Sequence, residues 1–262
     1  MFGKWHLGLN CQDRNDYCHH PLNMGFDKFY GLPLTNLRDC GPRKHESTVT
    51  EGLQRFYGFP FFVGFVGFVL ALALAGFLSK KSAFILVIIA VLSHLVAPTV
   101  ERLIFSQLVC VLMRGFDVVE QPVNLDNLTV KFTNEAKHFI DSSKEEPFLL
   151  FMSYVKVHTA LFSSPKFKGH SVHGSYGDNV EEMDWSVGEI VSALEEKNLL
   201  ENTFIYFTSD QGPHLEEVMP SGEYCGGWKG QYRGGVFFRI FNYLYLMFDW
   251  ERRIAWKRQN GS

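Results

Sequence analysis

Residues 56–78 of this 262-residue chain read FYGFPFFVGFVGFVLALALAGFL and carry no charge at all. A polar SKKS follows at 79–82. Then comes AFILVIIAVLSHLVAPTV at 83–100, holding His94 and Pro98, before Glu101 and Arg102 lead into more apolar residues. A helix crosses the hydrocarbon core of a bilayer with about 20 mostly apolar residues. Two such runs joined by four residues predict a transmembrane helical hairpin, because soluble core helices seldom run so far without a charged face. The competing reading is a helix pair buried in a soluble core. Lys80 and Lys81 at the tip favour a cytosolic tip, which puts both flanking segments on the luminal side.

The rest of the composition narrows the partners. A formal net charge of −3 lacks the basic footprint of a nucleic-acid binder. Of the five cysteines, Cys11 and Cys18 could close a small loop, and Cys40 and Cys110 bracket the apolar hairpin and could staple its base. Disulfides belong to an oxidising lumen, although connectivity does not follow from sequence and free buried thiols are the alternative. Asn127-Leu128-Thr129 is an acceptor pattern for N-glycosylation, which fits the same compartment. No signal-peptide pattern opens the chain, so either the hairpin inserts with both ends in the cytosol and the luminal placement is wrong, or the chain is expected to be missing its beginning.

Beyond the hairpin the pattern is α/β. Leu128, Phe132, Ala136, Phe139 and Ile140 recur at helical spacing. The apolar run PFLLFMSYV from 147 predicts a strand covered on both faces. A second helix is expected from Asp178 or Asn179 as N-cap, with Glu181 and Glu182 in its first turn and Met183, Val187, Ile190, Val191 and Leu194 as its stripe. TFIYFTSD at 203–210 predicts another strand. Alternation of this kind argues for a mostly parallel sheet flanked by helices, with ligands beyond the carboxyl ends of its strands. Lys4 and His6 in GKWHLG, His158 after the 147 strand, and Asp210 and Gln211 after the 203 strand fall at such ends. On an extended strand Lys4 and His6 share a face. They could hold an anionic ester oxygen and protonate a leaving group. Asp210-Gln211 offers oxygen donors suited to Ca²⁺, although an ordinary turn explains it as well. These groups suggest anion-ester chemistry without naming the ester.

Five segments in order, GKWHLG, CHHPLNMGFDKFYGLPLTNLRDC, VHTALFSSPKFKG, HGSYGDNVEEMDW and YFTSDQG, closely resemble the sulfatase family, in its membrane-anchored steryl-sulfatase and arylsulfatase branch. The resemblance runs from residue 3 to about 235. It implies an alkaline-phosphatase-like α/β fold and hydrolysis of sulfate esters, whether steroid, aryl or carbohydrate. It implies that Lys4, His6 and His158 contact the sulfate and that Asp210 and Gln211 ligate calcium. It also implies Cys11–Cys18 and Cys40–Cys110 disulfides, glycosylation at Asn127 and residence in the endoplasmic reticulum membrane with a luminal catalytic domain.

The chain also departs from that pattern. The family's nucleophile is a formylglycine made from the cysteine of Cys-x-Pro-x-Arg, and none of the five cysteines here completes that motif: only Cys40 has a proline two residues on, and there Lys44 stands where the motif has its arginine. The family's N-terminal acidic calcium ligands and its Gly-Gly-Lys sulfate-binding lysine have no counterpart either. Residues 236–262 carry none of the family's motifs. Their crowded aromatics suit a short helix, a membrane-surface segment or a translated intron or alternative exon. The expected organisation is a partial N-terminal sulfatase domain at 1–55, the hairpin at 56–105, the sulfatase domain continued at 106–235 and a divergent tail at 236–262, a chain truncated at both ends. The leading reading is a sulfatase-family chain that is inactive as it stands, because a covalent mechanism without a nucleophile has no first step. The alternative is a non-catalytic, membrane-anchored isoform or pseudoenzyme. A phosphatase of the same superfamily fits less well, since such enzymes use two metal ions and several histidines.

Overall fold

A computed structural model describes residues 1–34, 40, 58–143, 145–210, 212–213, 218–219 and 222–227. The chain forms two compact units, Met1–Phe204 and Ile205–Ser262. In the first unit a five-stranded sheet comprises β1 (Phe2–Lys4), β2 (Tyr30–Leu32), β3 (Leu112–Arg114), β4 (Asp117–Glu120) and β5 (Met152–Ser153). Its strand order is β4-β3-β2-β1-β5. β1 lies between two parallel neighbours, β2 and β5, while β3 and β4 add an antiparallel hairpin. The sheet is thus mixed rather than mostly parallel, because β3 returns directly through Gly115 into β4 instead of crossing over a helix.

Two glycines let the parallel centre close. A Cβ on Gly3 would sit 1.9 Å from the Ser153 carbonyl oxygen, and one on Gly31 would sit 1.9 Å from the Gly3 oxygen. No other residue type fits at either place without moving backbone. Below the sheet Met1, Phe29 and Met113 form a core with Trp5, Leu22 and Phe26 packed against it. The helix α3 (Leu128–Ser142) buries Leu128, Phe132, Ala136 and Ile140, the spacing its sequence predicts. Phe132 and Phe139 meet Tyr30 and Phe2 edge-on at 5.9 and 5.7 Å, which fastens α3 to β2 and β1.

The apolar runs form a helical hairpin, α1 (Phe59–Leu74) and α2 (Lys80–Val109). The turn is chemically specified. Gly76 takes φ 80°, and the N–H groups of Phe77 and Leu78 close on Leu72 O. The Ser79 hydroxyl then accepts from Ser82 N–H at 3.1 Å, capping α2. Phe62 stacks on His94 at 4.5 Å between the helices. Among the described residues no helix is long and apolar enough to cross a membrane. The sixteen residues of α1 rise about 24 Å, short of a hydrocarbon core about 30 Å thick.

Two disulfides are present, Cys11–Cys18 and Cys40–Cys110, and Cys225 is buried and takes part in neither. Two expected strands differ. From the 147 run only Met152–Ser153 joins a ladder, and 203–209 forms none. A strand exists only where a neighbour completes its hydrogen bonds, and the described residues offer 203–209 no ladder partner. Within the second unit Val218 and Tyr224 bridge and Met219 N–H reaches Glu223 O at 2.7 Å, forming a turn.

Candidate functional site

Because β1 runs parallel to β2 and β5, the residues that follow β1 and β5 emerge at one rim of the sheet. Lys4 ends β1. Trp5 N–H then donates to Leu32 O at 2.9 Å and His6 N–H to Pro33 O at 3.2 Å. The Trp5 indole N–H closes on Gly8 O at 2.8 Å. His6 has φ 57°, so the extended alternation expected for Lys4 and His6 stops at Lys4. A non-glycine residue in that left-handed region costs about 1–2 kcal/mol, the sort of strain found at working sites. The turn nevertheless keeps the two side chains together. His6 is held below the ordinary imidazole range by burial first, then by the Lys4 ammonium and by the His158 imidazole. Both groups therefore lie near enough to His6 to act on its charge. His6 is therefore neutral at pH 7, beside a lysine cation.

His158 sits on an exposed bend after β5, its Nδ1–H donating to the Thr159 carbonyl. A carbonyl only accepts, so Nε2 is the ring atom left for another partner. Beneath this bend lies a polar cluster. The helix α4 begins at Gly174 and ends at Glu196, four residues ahead of the expected N-cap. Asp178 is instead a buried residue inside α4, whose carboxylate accepts from Gly169 N–H at 2.7 Å and Ser171 N–H at 2.8 Å and so shapes the turn before the helix. Glu182, expected in a solvated first turn, is also buried. Asp178, Glu182 and Ser186 recur every fourth residue, so the first half of the buried face of α4 is polar, and only Ile190, Ala193 and Leu194 make its second half apolar.

Each of these polar groups finds a partner on another element. Ser186 Oγ lies 2.6 Å from Thr133 Oγ1 and 2.9 Å from the Tyr154 hydroxyl, joining α3, α4 and the segment after β5. Glu182 accepts from Ser164 N–H at 2.9 Å and pairs with Lys156 at 3.0 Å, both side chains being 1% exposed. The Lys156 ammonium also donates to Asn179 Oδ1 at 3.0 Å and to the Phe162 carbonyl. Its three N–H donors are thereby used. Burial lowers Lys156 and the Glu182 carboxylate opposes that shift. Lys156 is not among the sequence candidates. Its signal is a single cation inside an otherwise apolar run, two residues before His158.

Asp210 is exposed and belongs to the second unit, and Gln211 lies outside the described residues. Calcium takes six to eight oxygen ligands. Among the described residues the single cluster of three potential metal ligands is Cys11, Cys18 and His19, two of which are joined in a disulfide. Asp210 and Gln211 offer two oxygen donors of the kind calcium takes, and no cysteine completes the formylglycine motif: Cys40-Gly41-Pro42 comes nearest, with Lys44 at the arginine position and Cys40 bound to Cys110. Asn127 is exposed at the start of α3 and its side chain makes no capping bond.

Comparison with known proteins agrees with the motif order. The sulfatase family model matches residues 1–240. Human steryl-sulfatase (Homo sapiens) is 47% identical over 240 residues, covering 90% of this chain and 41% of that protein. Human arylsulfatase H is 41% identical, covering 90% of this chain and 42% of its own length. Among solved structures, the PsFucS1 sulfatase from Pseudoalteromonas sp. superposes with a TM-score of 0.51 at 26% identity, over 85% of this chain and 36% of that one. The chain thus spans about two fifths of the length of the curated relatives it matches, and it belongs to the sulfatase family.

Proposed function

We propose that this sulfatase-family chain carries the oxyanion-binding face of a sulfuric ester hydrolase. The observation that supports this most is the convergence of Lys4, His6 and His158 at the rim of the parallel strands. Lys4 supplies a fixed cation for a sulfate oxygen. His158 offers Nε2 to the same group. His6, neutral in the free protein, takes up a proton when an anion arrives, because a nearby negative charge favours the imidazolium. In the parent reaction a histidine so placed protonates the leaving ester oxygen. Relatives named steryl-sulfatase and arylsulfatase favour a steroid or aryl sulfate over a carbohydrate sulfate.

Asp210 and Gln211 are assigned to a calcium ion as two of its ligands, and no step of this reading passes through that ion. Formylglycine would supply the family's nucleophile, but these 262 residues contain no Cys-x-Pro-x-Arg, so the chain by itself binds sulfate without releasing it. The hairpin is read as lipid-embedded. Large side chains such as Phe61, Phe68, Leu74, Phe84 and Leu95 are 62–90% exposed on both helices, a surface that water does not favour. Exposed Asn127 and two disulfides fit a luminal placement in the endoplasmic reticulum.

The test is a titration of the purified full chain in detergent with inorganic sulfate, read from its histidine signals. Specific binding that strengthens as pH falls below about 6.5, and that weakens about tenfold in Lys4→Ala, supports the reading. An absence of any histidine response, or a response indifferent to Lys4, overturns it. Sulfate release by this chain would overturn the claim that it lacks a nucleophile. The second reading, a non-catalytic membrane protein, is favoured by the missing motif, and vesicle partitioning without sulfate binding would select it.

A further inference from the structure

The oxyanion reading leaves one buried charge unexplained. Lys156 is a lysine at 1% side-chain exposure, two residues from His158. Burying an ion pair is a weak way to stabilise a fold, since apolar residues of similar volume do as well or better. A buried pair of this kind is more informative about what it holds in place.

Here it holds a loop. The chain leaves β5 at Ser153 and reaches Val155, which is buried, then Lys156. It bends outward through His158 and returns at buried Ala160, Leu161 and Phe162. The Lys156 ammonium spans this loop from one end to the other by donating to the Phe162 carbonyl, and it lies 4.2 Å from the Phe162 ring centroid. Glu182 holds the returning end one step further on, through Ser164 N–H. Both ends are thus tied to the same two turns of α4, at Asn179 and Glu182. The loop's exposed apex is His158, whose own bonds are local, to the Val155 and Thr159 carbonyls.

We propose that Lys156, paired with Glu182, is the positioning residue that strings the 156–162 loop across α4 and so sets the His158 imidazole opposite Lys4 and His6. Lys156 touches no reacting group. Its effect passes through the backbone of the loop. The proposal rests on the oxyanion reading only for the identity of the ligand. The geometry it asserts, His158 held near His6, is measurable without any ligand.

The experiment uses the full chain in detergent with labelled histidines. First, His158→Gln sets the scale: removing the imidazole that depresses His6 moves the His6 titration midpoint upward. The double variant Lys156→Met/Glu182→Gln then removes the strap without leaving a buried unpaired charge, and the amide oxygen introduced by Glu182→Gln still accepts from Ser164 N–H. The expected result is an upward His6 shift of the same sign and at least half the size. Sulfate binding should also weaken about tenfold, the loss of one charge-assisted hydrogen bond. Lys156→Arg, which keeps the cation and the donors, should restore both readings toward wild type. A folded double variant with the wild-type His6 midpoint overturns the proposal. If the wild type shows no sulfate response, the oxyanion reading fails, and the His6 midpoint alone still decides on Lys156. Should the double variant not fold, Lys156→Gln/Glu182→Gln, a neutral pair that keeps hydrogen-bonding groups at both positions, carries the same test at smaller amplitude, and an unmoved His6 midpoint there overturns the proposal.

Discussion

Replacing Gly31 with alanine puts a methyl group where the sheet has no room. The new Cβ would lie 1.9 Å from Gly3 O, 2.8 Å from the Phe29 ring and 3.0 Å from the Gly3 carbonyl carbon. Its closest contact is backbone of the neighbouring strand, which cannot swing away as a side chain could. β1 and β2 must separate by about 1 Å to restore ordinary contact. Overpacking of this kind costs about 1–3 kcal/mol, and a ladder hydrogen bond lost with it adds about 1 kcal/mol. Together these amount to about 3 kcal/mol, or roughly a hundredfold in the opening equilibrium. Hydrogen exchange of the full chain, followed over residues 1–9 and 29–34, reads that equilibrium locally. The control is Gly188→Ala, the same chemical change in the interior of α4 with nothing within 4 Å of the added Cβ. There alanine removes the entropic cost of a helical glycine and should stabilise by about 0.5–1 kcal/mol. The two substitutions therefore have opposite signs. Exchange in Gly31→Ala within about twofold of wild type would refute the close-approach reasoning, and so would destabilisation by Gly188→Ala.

Three further outcomes follow from the polar contacts. Asp178→Ala strands the N–H groups of Gly169 and Ser171 and should lower stability in urea melts by about 2–3 kcal/mol, with Asp178→Asn costing less because its carbonyl still accepts. His20 is fully buried, with Nδ1 accepting from Leu22 N–H at 3.2 Å and Nε2–H donating to Gly115 O at 3.0 Å. Burial, against that last bond, holds it below its ordinary value. The unfolded chain then binds the proton more readily, so stability should be full above about pH 6.5 and fall as pH drops below it, and a His20→Gln variant should lose that dependence in urea melts. Asp16 accepts from the N–H groups of Cys11, Gln12, Asp13 and Cys18, and those bonds hold its carboxyl well below the usual carboxylate range. The order of the 10–19 loop should therefore persist above about pH 4 and fade below it, and Asp16→Asn should speed reduction of Cys11–Cys18 by a dithiol at neutral pH.

Much of this molecule is legible from residues alone, and the reason is the same in each instance. Local chemistry suffices to mark the polar break between the two hairpin helices and the stripe of α3, whereas the turn that takes His6 off the strand Lys4 ends is not written in the spacing. Motif order in GKWHLG, VHTALF and YFTSDQG reveals the family, because several unrelated segments recur together. What only the tertiary structure decided depends on partners distant in sequence. The run at 203–209 is apolar enough for a strand, yet a strand forms only where a neighbour completes its ladder. Periodicity marks the stripe of α4 by its apolar residues, whereas the first half of its buried face holds Asp178, Glu182 and Ser186. Those side chains are tolerable inside only because Gly169, Lys156, Ser164, Thr133 and Tyr154 come to meet them. Helical periodicity tells which residues share a face. Whether a carboxylate on that face is solvated or paired is settled by a lysine on another loop, and its Coulomb partner exists only once the chain has folded.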